Sequence, residues 1–191
     1  MDRSLLKAGL LAVAITLAPA VSHAQMGMGV GMTTVGGQSM YPTKTIVDNA
    51  VNSADHTTLV AAVKAAGLVP TLSSKGPFTV FAPTNNAFNA LPQGTVANLL
   101  KPENKAALTK VLTYHVVVGR LDADDLMKLI RKGKGTARLQ TVSGGYLWAM
   151  MNGEHNIVIK DESGSVASIS TYDVAQSNGV IHVIDRVLLP R

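Results

Sequence analysis

Gly76-Pro77-Phe78-Thr79-Val80-Phe81-Ala82-Pro83-Thr84-Asn85-Asn86-Ala87-Phe88 is the stretch on which the fold turns. Phe78 to Ala82 has the β-branched and aromatic composition of a strand, entered through Gly76-Pro77 and ended by Pro83. Phe78, Val80 and Ala82 alternate with Thr79 and Phe81, so both faces of the strand are expected to be largely buried. Thr84 can then cap a short helix that runs through Phe88.

Upstream of this strand the pattern is helical. From Thr43, the residues Ile46, Val47, Ala50 and Val51 share one face and Asp48, Asn49 and Asn52 the other. A second helix is predicted from an Asp55 N-cap, with Leu59, Val60, Val63 and Ala66 inward and a stop at Gly67 that Pro70 reinforces. Downstream, Lys101 to Thr113 reads as helix and Tyr114 to Val118 as strand. Asp122, Asp124 and Asp125 open a further helix that Arg131, Lys132 and Lys134 close around Gly133, the charge order that complements a helix dipole. Strands are predicted over 138–142, 146–151, 156–160, 166–170 and 180–189, the last entered through the turn dipeptide Asn178-Gly179. Early helices followed by consecutive strands predict an α+β architecture with an antiparallel-rich sheet.

The 191 residues suit a single domain, and 47% apolar with 15% charged residues is the composition of a packed chain. The absence of cysteine excludes disulfide scaffolds, thiolate metal sites and cysteine nucleophiles. Residues 1–24 read as a secretory signal peptide: Arg3 and Lys7 bracket a positive start, Ala8 to Ala18 is apolar, and Ser22-His23-Ala24 supplies the cleavage site. The apolar stretch is shorter than the roughly 18–20 residues of a membrane span, and no later segment comes closer. Cleavage would remove two cations and one anion from a net charge of +5, leaving +4. A secreted or periplasmic protein is expected. Residues 25–42 hold Met26, Met28, Met32 and Met40 among glycines and read as a flexible leader; the alternative is a soft-metal site for Cu(I) or Ag(I), for which thioethers are suitable ligands.

Three segments together resemble the fasciclin domain family. The Gly76–Phe88 stretch is similar to the family's first signature, Leu112-Thr113-Tyr114-His115-Val116 to its central tyrosine–histidine motif, and Asn178 to Pro190 to its C-terminal strand motif. The resemblance covers residues 43–191 and implies a wedge-shaped β-sandwich with several flanking helices. It also implies a non-catalytic adhesion or interaction module. On that resemblance, the partner-binding candidates are Asp173 and Val174, matching an Asp–Ile pair used by animal relatives, together with Tyr114 and His115.

Read without the family, the same residues have structural explanations. Asp173 would cap and Val174 would pack, while His115 and His182 sit among apolar neighbours as core donors. No G-x-S-x-G elbow, H-E-x-x-H pair, phosphate loop or dinucleotide fingerprint occurs, so no enzyme and no catalytic residue are expected. Arg131, Lys132, Lys134 and Arg138 form the one dense positive cluster, suited to an anionic glycan or an acidic extracellular protein. Nucleic acid is not expected, since 4% aromatic content supplies few stacking platforms. The alternative is an apolar-ligand carrier, as some family members hold a carotenoid, with Met127, Ile130, Trp148 and Met150 as candidate lining. No other cofactor and no resident metal are expected.

Overall fold

The structure is a computed structural model and describes residues 32–191. The predicted signal peptide and the first residues of the predicted leader lie outside the described residues.

Strands β1 (Thr33–Val35) and β2 (Gln38–Met40) form an antiparallel hairpin. Four short helices follow around β3: α1 (Ile46–Ala50), α2 (Thr57–Ala66), α3 (Val69–Leu72) and, after β3 (Phe78–Pro83), α4 (Asn85–Asn89). Next come α5 (Thr95–Leu99), α6 (Lys105–Tyr114), β4 (Val116–Val118) and α7 (Ala123–Lys132). Five strands complete the chain: β5 (Thr136–Gln140), β6 (Tyr146–Asn152), β7 (Asn156–Lys160), β8 (Val166–Gln176) and β9 (Gly179–Ile184).

The seven later strands make one sheet in the order β4-β3-β9-β8-β7-β6-β5, in which only β3 and β9 run parallel. Strand β8 carries bulges between Ile169 and Val174, which let one long strand serve both halves of the sheet. The sheet folds back until its two edges meet: Val117 bridges Thr141, and the Val142 N–H donates to Val116 O at 2.8 Å. The result is the expected α+β fold, a barrel-like sandwich flanked by helices.

Period-2 alternation in β3 and β9 decides where the two cores lie. Val80, Ala82, Ile181 and Val183 face the helical layer of α1, α2 and α6, packing with Ile46, Leu59, Val63 and Leu112. Phe81 and Ile184 face the inside of the folded sheet, where Leu126 and Ile130 of α7 meet Leu147, Ala149 and Ile159. Thr84 caps α4 by accepting from the Ala87 N–H, as the sequence predicts, and Asp122, one of the three acids expected to open α7, caps it by accepting from the Asp125 N–H.

Several boundaries differ from expectation. Thr33 to Met40 is a hairpin and not flexible leader, because Val35 and Met40 bury their side chains in the helical-side core. Asp55 lies inside a 3-10 turn (Ala54–His56), and α2 starts at Thr57. Pro70 does not merely end α2 at Gly67; it sits in the first turn of α3, where its missing N–H has no helical partner to lose. Tyr114 ends α6 and His115 caps it, so the strand begins two residues later than predicted.

Candidate functional site

Tyr114 and His115 are buried, and every polar atom they carry is used. The Tyr114 hydroxyl donates to Tyr146 O at 2.6 Å and accepts from the Glu162 N–H at 2.9 Å, tying α6 to β6 and to the turn after β7. Burial pushes its pKa up to about 12. His115 Nδ1 pairs with Val111 O at 2.8 Å and Nε2 accepts from the Leu188 N–H at 2.9 Å, the pattern of a neutral imidazole. Its burial lowers the pKa to about 4. The expectation that this pair touches a partner is therefore corrected: neither side chain reaches the surface.

Asp173 and Val174 separate in the same way. Val174 is a core residue. Asp173 is exposed, adopts a left-handed φ of 56° in the β8 bulge, and accepts from the Ala123 N–H at 2.8 Å. It thus anchors the first turn of α7 across the barrel mouth, while Val174, which cannot contact a partner, holds the strand beneath. His182 is also internal, stacked on Phe81 with centroids 5.7 Å apart and bonded through Nε2 to Leu121 O at 2.8 Å. Burial lowers its pKa.

The apolar-ligand set does not form one groove. Strand alternation places Leu147 and Ala149 under α7, so Ile130 is core and Met127 packs beside it, whereas Trp148 and Met150 face outward on the other side of β6. Helix α7 covers one set and leaves the other half-exposed. A separate apolar cavity of about 40 Å³ lies between α1, α2, α3 and β3, lined by Val47, Val60, Val63, Val69 and Val80 among others.

The basic cluster survives as surface. Arg131, Lys132, Lys134 and Arg138 are all exposed, and none has an ion-pair partner among the described residues. Their placement follows from how α7 ends. The Lys134 N–H donates to Arg131 O and the Gly135 N–H to Ile130 O, a Schellman closure that requires a left-handed residue between helix and strand. That residue is Lys134, at φ 54°, where glycine would be the less strained choice. Gly133 is held elsewhere: a Cβ there would stand 1.9 Å from Thr136 O. Arg138 lies 4.3 Å above the Tyr146 ring, which holds its guanidinium against the sheet.

The sequence reading missed Lys160, which pairs with Trp148 across β6 and β7 and so brings a further cation to this surface. Only the strand register reveals it. Among the described residues, no three His, Asp or Glu side chains converge as a metal site. Among the described residues, the one serine–histidine contact, Ser53 Oγ to His56 Nδ1 at 2.9 Å, is buried and structural.

Fold and surface define a helix-flanked, barrel-like β-sandwich domain with exposed cations gathered at the end of α7. The profile of the Fasciclin domain matches residues 54–190, and the chain belongs to that family. It is similar to Protein sll1483 of Synechocystis sp., 44% identical over 90% of this chain and 88% of that protein. Immunogenic protein MPB70 of Mycobacterium bovis is 32% identical over 96% of this chain and 92% of its own. Transforming growth factor-beta-induced protein ig-h3 of Sus scrofa is 35% identical over 78% of this chain, which corresponds to 20% of that longer protein. The fold matches the FAS1 domain pair of the insect cell adhesion molecule Fasciclin I at a TM-score of 0.69 and 20% identity, covering 76% of this chain and 51% of that one. No helix among the described residues is long and apolar enough to cross a membrane.

Proposed function

We propose that this domain is exported and holds an anionic partner, a glycan or an acidic protein, through the basic end of α7. The observation that carries the reading is the exposed set Arg131, Lys132, Lys134 and Arg138 with no neutralising carboxylate among the described residues. A lysine in a left-handed cap position supports it, because a strained residue that costs stability is a pointer to use at the surface. The full chain is expected to be retained on a polyanionic column and released by salt, since exposed charge contacts are screened over about 8 Å at physiological ionic strength. Changing all four cations to glutamine should move elution to markedly lower salt; unchanged elution would discard the reading. Lys134→Gly should weaken retention without lowering the melting temperature, because it relieves the left-handed strain.

A second reading is carriage of an apolar ligand such as a carotenoid, for which the cavity beneath α1 offers an apolar lining and the surface around Trp148 does not. At about 40 Å³ that space must widen to admit a polyene, by displacement of α1, a helix of five residues. Protein purified without detergent from carotenoid-producing cells should then carry a red-shifted visible band that a Val63→Trp change abolishes. A colourless protein would exclude this reading.

A further inference from the structure

The outer face of β5, β6 and β7 presents a row that the strand register assembles from three distant segments: Arg138 opposite Trp148, and Trp148 opposite Lys160. The indole is half-exposed and a cation stands on each side of it. At about 4.8 Å between neighbouring strands, the backbones at Arg138 and Lys160 are roughly 9–10 Å apart. Arg138 is fixed by its stack on Tyr146, while Thr136 and Met150 occupy the adjoining row. A cleft of about 390 Å³ opens beside Trp148, bordered by Thr136, Met150, Lys160, Glu162 and Arg191. That volume falls within the roughly 300–1,000 Å³ of small-ligand sites.

The two carboxylates that border this cleft are held by backbone donors. Asp161 accepts from the Ser165 and Leu189 N–H groups at 2.8 and 2.9 Å, and Glu162 accepts from the Tyr146 and Arg191 N–H groups at 2.9 and 3.2 Å. Both carboxylates thus already have partners, whereas Lys160 is exposed with no ion-pair partner among the described residues. An apolar partner would have to desolvate both Arg138 and Lys160, at a cost that burial of one indole does not offset. A nucleic acid strand needs successive stacking platforms, and Tyr146 is already covered by Arg138.

From this geometry we infer a binding site for an acidic polysaccharide, a chain of 1,4-linked hexuronic acids laid across the three strands. One sugar ring stacks its C–H face on Trp148, and carboxylates of flanking residues pair with Arg138 and Lys160. The inference rests on the anionic-partner reading above and narrows it to a ligand class and a place, on a face continuous with Lys134 through Thr136.

Trp148 is the single tryptophan of the chain, so its emission reports this face directly. The full chain is titrated at low salt with hexagalacturonate, with neutral maltohexaose and with polyglutamate. Hexagalacturonate is expected to shift the emission saturably, and maltohexaose to leave it unmoved. Lys160→Gln lies outside the basic end of α7 and at an exposed position, and should weaken hexagalacturonate binding about tenfold, the loss of one well-placed contact. Trp148→Phe, followed by calorimetry, should weaken it while the chain remains folded. Two results overturn the proposal: polygalacturonate retained on the protein with Trp148 emission and Lys160→Gln without effect, which leaves the basic-end reading standing, or polyglutamate shifting Trp148 as strongly as the sugar, which makes the occupant an acidic protein. If retention on polyanions fails but hexagalacturonate still shifts Trp148, the basic-end reading falls and the sugar site stands by itself.

Discussion

Lowering the pH from 7 to about 4 is expected to destabilise this domain by about 3 kcal/mol through His115 alone, with His56 and His182 adding in the same direction. All three imidazoles have pKa values lowered by burial, from an ordinary value near 6.5 to about 4 for His115. Between those two values the unfolded chain binds a proton that the folded chain refuses, so stability rises with pH across this window. The contribution is complete above about pH 6.5 and is lost as the pH falls towards 4. The structural cause is direct: Nε2 of His115 accepts the Leu188 N–H, and a protonated ring would set two donors against each other. His182 does the same with Nδ1, which faces the Asp173 N–H at 3.4 Å. Urea midpoints measured from pH 7.5 to 4 should fall steeply below pH 6.5, and His115→Gln should flatten part of that slope at a lower plateau. A flat profile over that range would mean that these rings are hydrated in the folded protein.

The second large effect is expected at Asn178. Its side chain accepts from the Ile46 N–H at 3.0 Å and donates to Leu72 O and Ser74 O at 2.8 and 2.9 Å, so one buried amide ties the β8–β9 turn to α1 and to the end of α3. Asn178→Ala strands at least two buried backbone groups, and at about 1–3 kcal/mol each the loss should reach about 3–5 kcal/mol. For a domain of this size that lowers the melting temperature by about 10 °C or more. Asn178→Asp should be no milder, because it keeps the acceptor and turns a carboxylate on two carbonyls. The neighbourhood offers no room for relaxation: a Cβ on Gly179 would stand 2.1 Å from Phe78 O, and one on Gly76 2.2 Å from Asn178 O. Thermal melts of Asn178→Ala within a few degrees of the native protein would refute the hub.

This arrangement also shows why two motifs far apart in sequence look as they do. Asn178-Gly179 reads as a turn signal, and the turn between β8 and β9 is there. Its larger role is invisible from the dipeptide: Gly179 lies against Phe78 at the start of the parallel β3–β9 pair, and only glycine permits the approach. The same limit applies to Tyr114-His115. Val116 to Val118 has strand composition, but α6 extends through Tyr114 because the hydroxyl must reach Tyr146 O and the Glu162 N–H, contacts 32 and 48 residues away. Thr33 to Met40 lacks any pattern of its own, and it becomes a hairpin because β8 and the helical layer accept Val35 and Met40.

Local chemistry was therefore enough for the α+β class, for β3 buried on both faces, for the Thr84 cap and for the dipole-ordered charges of α7, since caps, alternation and helix-end charge act within a few residues. The family followed from motifs of that kind. Alternation in β6 separates Leu147 and Ala149 from Trp148 and Met150 without saying which pair α7 covers. Tertiary packing decided it: α7 buries Leu126 and Ile130 against the smaller pair, and the strand register then lines up Arg138, Trp148 and Lys160 on the side left open. Register and layer choice are long-range quantities, fixed by the total apolar surface that packing removes from water, and no segment carries that information alone.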